Sequence, residues 1–105
     1  MNNEEIINMY RMIVSAYYGM QMMDEYDLKV YVLKNIDDYR KSFIKENNLK
    51  LDFAKEDELV EERTTKSKLQ DTLIVLNKIN ASMEIIHLVK ERLNRIIEEE
   101  KENDY

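Results

Sequence analysis

From Ser67 to Glu102 the chain crosses about 36 residues without a proline or a glycine, and apolar residues fall at Leu69, Leu73, Leu76, Ile79, Met83, Ile86, Val89, Leu93 and Ile97. Steps of three and four residues set them in one stripe along a helix. At ~1.5 Å per residue such a helix would be roughly 50 Å long, whereas a compact domain of about 100 residues has a radius of gyration near ~13 Å. The spacing therefore predicts one helix over 67–102 that outruns its own domain. Its overhanging apolar surface needs cover, and a second copy of the chain is the simplest source.

The remainder also reads as helix. There is no proline, and Gly19 is the single glycine, which leaves few tight turns and almost no route to a β-rich design. A first helix starts after an Asn3 cap, with Glu4 and Glu5 in the first turn. Between Ile6 and Met23 its one charge is Arg11, so this helix is expected at the centre of the core. Asp24 and Asp27 open a second helix through Leu28, Val32, Ile36, Tyr39 and Phe43 to the asparagine pair Asn47 and Asn48. Asn47 to Phe53 is a break. After an Asp52 cap, Ala54 to Arg63 forms a short acidic helix with Leu59 and Val60 to bury. Thr64 to Ser67 is a polar joint, and Ser67 with Gln70 makes a capping box for the last helix. The expectation is a single all-α domain over 1–105, a bundle of about four helices, with 98–105 as an acidic tail able to fray.

Charge is distributed unevenly. The net charge is −6, yet Lys66 and Lys68 stand at the start of the last helix and Glu98, Glu99, Glu100 and Glu102 at its end. That order opposes the helix macrodipole, which favours acids first and bases last by roughly 0.3–1 kcal/mol each. An antiparallel partner helix would make sense of it by setting the glutamates of one chain against Arg63, Lys66 and Lys68 of another. Ile74, Ile85 and Leu88 project from the side of the helix away from the stripe. With Ile86 and Leu93 they form the expected homodimer interface.

Catalytic chemistry has little to work with. Zero cysteines exclude disulfides, thiolate metal sites and a thiol nucleophile. One glycine cannot build a phosphate loop, and no nucleophile turn is present. Glu58-x-x-Glu61 supplies half of the paired-glutamate pattern with which all-α nucleotide pyrophosphohydrolases hold magnesium, and no second half follows. Glu84-x-x-His87 has the spacing that di-iron and di-manganese bundles use. With a single histidine, such a centre could be assembled only across a symmetric dimer. The expectation is therefore no cofactor and no enzymatic activity, with a metal-binding bundle at Glu84 and His87 as the alternative.

Nucleic acid is a poor partner for a net negative chain whose Lys78, Lys90, Arg92 and Arg95 are scattered. A negative surface suits a basic protein partner, such as the cationic groove of a nucleic-acid enzyme. The acids expected to carry that contact are Glu56, Asp57, Glu58, Glu61 and Glu62, with the tail from Glu98 to Asp104 as a second acidic block. No basic leader precedes an apolar run, and the longest uncharged stretch, Met12 to Met23, is too short to span a bilayer, so a cytoplasmic location is expected. Asparagine, lysine, isoleucine and glutamate in a short chain without a catalytic kit resemble the composition of small regulators and inhibitors carried by bacteriophages and other mobile elements. The functional expectation is a protein-binding regulator or inhibitor, the other alternative being a structural or adaptor subunit.

Overall fold

The computed structural model describes residues 2–103. They form five helices, α1 (Asn3–Gln21), α2 (Tyr26–Glu46), α3 (Phe53–Glu61), α4 (Thr65–Lys78) and α5 (Met83–Asn103), with no strand among the described residues. The all-α expectation holds, with one helix more than expected.

α1 is the hub. It packs most extensively on α4 and also on α2 and α3, while α5 packs mainly on α4. Tyr10, Ile13, Ala16 and Met20 of α1 are fully buried, as the scarcity of charge in this segment requires. Its crossing with α4 is made possible by Gly19, because a Cβ there would lie 2.7 Å from the Lys68 carbonyl oxygen and collide with Thr72 Oγ1. Thr72 is itself buried and donates to the Lys68 carbonyl within its own helix, at 2.7 Å.

The predicted 67–102 helix is two helices. Asn80 takes a left-handed conformation at φ 55°, which ends α4, and the Ala81 amide turns back to the Leu76 carbonyl at 2.9 Å. Ser82 then accepts from the Ile85 amide at 3.4 Å as α5 begins. Such a left-handed asparagine with a reversed hydrogen bond closes a helix without glycine. The result is an antiparallel hairpin, in which Lys66 near the start of α4 pairs with Glu100 near the end of α5 at 3.0 Å. One of the expected cross-pairs is thus made within the same segment, while Arg63 pairs with Asp71 and Lys68 donates to the Glu61 carbonyl.

The break also resets the helical phase. Ile85 and Val89 are fully buried, Ile86 and Leu93 nearly so, and Leu88 packs against the same core. Met83, expected in the stripe, is 72% exposed instead. Of the five residues expected at a dimer interface, Ile85, Ile86 and Leu93 are buried within the chain, Leu88 is partly buried, and Ile74 is exposed. The overhang that called for a second copy does not exist, because the hairpin folds it back.

The caps differ from expectation in detail. Asn2, rather than Asn3, caps α1 through the Glu5 amide at 2.9 Å. Glu25 sits at the cap position of α2 with no side-chain bond. Thr64 caps α4 through the Ser67 amide at 3.1 Å, one turn before the expected Ser67 box. Asp52 caps α3 as expected, through the Lys55 amide. Asn48, at φ 49°, closes α2 as Asn80 closes α4. Of the expected acidic tail, Glu98 to Glu102 continue α5 as helix, while Asp104 and Tyr105 lie outside the described residues. No helix among the described residues is long and apolar enough to cross a membrane.

Candidate functional site

α3 has only nine residues, too short to persist without tertiary support. Phe53, Glu56, Asp57 and Val60 stand at i, i+3, i+4 and i+7 and so share its inner face. Val60 is fully buried, and the Phe53 ring packs on Tyr10 with centroids 5.3 Å apart. The two acids between them are structural. Arg11 places Nε and Nη2 on the two carboxylate oxygens of Glu56, and the Tyr10 hydroxyl donates to Asp57 Oδ1 at 3.0 Å. Hydrogen bonding from Arg11 holds the Glu56 carboxyl below the usual carboxylate range. Burial, reinforced by the Asp57 charge, pushes Tyr10 up to about 12.

The far end of α3 is held by Lys68. This lysine is buried, its Nζ donates to the Glu61 carbonyl at 2.7 Å and lies 5.7 Å from the centre of the Tyr18 ring. A cation on a helix's last carbonyls is favoured by the macrodipole, and one over an aromatic face by the ring quadrupole.

Of the five acids proposed to meet a partner, two thus face inward and three face out. Glu56 and Asp57 fasten α3 to α1. Glu58, Glu61 and Glu62 are exposed and make no ion pair among the described residues. Leu59, expected in the core, is 48% exposed and sits among them.

Beside this helix lies an open cleft of about 230 Å³, lined by Val14, Tyr17, Tyr18, Asp37, Arg40 and Asp57. Arg40 spends Nε and Nη2 on Asp37 Oδ1, at 3.1 and 3.0 Å, and Lys41 takes the other oxygen of Asp37 at 3.0 Å. Sequence reasoning missed this group, since it draws on three helices and no local spacing connects Tyr17, Arg40 and Asp57.

Glu84 and His87 are both exposed on α5. His87 Nε2 lies 3.1 Å from Glu91 one turn on. No group of three or more metal-ligating side chains gathers among the described residues. Comparison of the chain with protein families, curated proteins and solved structures finds no match.

Proposed function

We propose that the protein is a non-enzymatic binding module whose outward α3 face, Glu58, Glu61 and Glu62 around Leu59, docks a basic surface of another protein. The observation that carries this reading is the division of labour on α3. Glu56 is paired with Arg11 and Asp57 accepts the Tyr10 hydroxyl within the chain, whereas the three outer glutamates have no ion-pair partner among the described residues and surround an exposed leucine. An apolar anchor ringed by like charges is the layout of an interface with an apolar centre and a charged rim. The rim steers a cationic partner and the anchor is desolvated on contact. Such a module acts as a regulator or inhibitor by occupying a cationic surface, for example the groove of a nucleic-acid enzyme.

Titration with a lysine- and arginine-rich peptide at low and moderate salt tests this. Reversing Glu58, Glu61 and Glu62 to lysine should weaken binding at least about tenfold, ~1.4 kcal/mol, and flatten its salt dependence. Reversal of Glu98, Glu99 and Glu102, which changes the net charge equally, should leave affinity within about twofold. Equal losses in both variants would mean that net charge alone is responsible and would overturn the assignment to α3.

A further inference from the structure

We propose that the cleft between α1, α2 and α3 is a socket for one arginine side chain presented by the basic partner. The inference rests on the binding role of the α3 face and adds to it the place where a single side chain is read.

Volume comes first. At about 230 Å³ the cleft falls below the ~300–1,000 Å³ of pockets that enclose whole small molecules, so it suits one side chain rather than a metabolite. Its walls are the next consideration. Tyr17 and Tyr18 supply aromatic surface, and the Tyr18 ring already accepts the Lys68 ammonium from the α4 side. A planar guanidinium stacks on such rings better than an ammonium and is more easily stripped of water.

The polar groups decide the sign of the ligand. Arg40 is the cleft's own cation, and its hydrogen bonds go to Asp37, whose second oxygen is held by Lys41. Both oxygens of Asp37 are thereby taken. Asp57 keeps one open, because Oδ1 takes the Tyr10 hydroxyl while Oδ2 receives no hydrogen bond from the described residues. The hydroxyls of Tyr17 and Tyr18 are likewise without a hydrogen-bond partner among them. One free carboxylate oxygen and two phenolic oxygens can accept a guanidinium's fork of donors. Burial, and after it the charges of Asp57 and Glu61, raise the Tyr18 hydroxyl above its ordinary pKa, with Arg40 opposing. Asp57 belongs to the same short helix as Glu58, Glu61 and Glu62, so a partner seated on those glutamates has the socket within reach.

The test is an amide NMR titration of the intact chain with N-acetyl-arginine amide, and in parallel with the lysine and the uncharged citrulline analogues. Saturable shifts confined to the surroundings of Tyr17, Tyr18, Arg40 and Asp57 are expected, at least threefold tighter for arginine than for lysine and absent for citrulline. Asp57→Asn keeps an acceptor for Tyr10 and removes the charge, and it should weaken binding about tenfold. Tyr17→Leu, at a half-buried position, should do the same if the first variant fails to fold. Shifts elsewhere, equal binding of citrulline, or equal binding of lysine would overturn the proposal. The charge reversal at Glu58, Glu61 and Glu62 separates the two readings. If it abolishes peptide binding while arginine leaves the wild-type cleft unmoved, the socket alone is wrong. If peptide binding persists while arginine still maps to the cleft, the socket stands and the α3 face does not.

Discussion

Tyr10 does two jobs with one side chain. Its ring carries Phe53 and its hydroxyl holds Asp57, so it fastens α3 at two points. Burial together with the adjacent carboxylate disfavours the phenolate and pushes the hydroxyl from its ordinary 10.0 up to about 12. The unfolded chain ionises first as pH rises. The Tyr10 contribution to stability is therefore intact below about pH 10 and is lost progressively toward pH 12, by on the order of 2–3 kcal/mol. Urea midpoints measured from pH 9 to 12 should fall with this slope in the parent. Tyr10→Phe should begin about 1 kcal/mol lower at neutral pH, having lost one hydrogen bond, and should show a shallower alkaline fall. Parallel slopes in the two proteins would show that other groups govern the transition.

Among the helices, the presence of α1, α2 and α3 is legible in local spacing, while several caps and the inner face of α3 are not. α1 was legible as the hub because charge is nearly absent from it, and the 47–52 connector because two asparagines interrupt the apolar spacing. The 79–82 break was hidden for the opposite reason. Ile79 and Met83 are four residues apart, so the stripe runs through a turn that contains no glycine. Asn80 supplies the left-handed residue and Ser82 the new cap, and this Asn-Ala-Ser sequence was the available signal. The alternation of Leu49, Leu51 and Phe53 assigns Phe53 to the connector, which mis-centres the inner face of α3. Once Phe53 joins Val60, Glu56 and Asp57 fall between them and turn inward. The cleft could not be read at all, since its residues meet only after α2 and α3 have both docked on α1. The break makes its own test. Asn80→Gly should be neutral or slightly stabilising in urea denaturation, while Asn80→Val should cost about 1–2 kcal/mol for forcing a β-branched residue into the left-handed region. Equal tolerance of glycine and valine would argue for an unbroken helix.

In the folded chain, the hairpin converts a surface expected between two copies into core. Ile85→Glu should consequently abolish the cooperative melt seen by circular dichroism, because an unpaired buried charge costs several kcal/mol against a total stability of ~5–15 kcal/mol. Ile74→Glu, on the exposed side of α4, should melt within about 0.5 kcal/mol of the parent. A folded Ile85→Glu protein of half the parent's scattering mass would return that residue to an interface between copies. The close passage of Gly19 over Lys68 and Thr72 has a consequence in time as well as in space. The ribosome releases α1 first, yet the helix that covers its glycine face is made only after α2 and α3 have emerged. During synthesis this hub waits with an apolar flank uncovered, so the interval before α4 emerges, rather than the finished fold, is where the nascent chain is most open to misassociation.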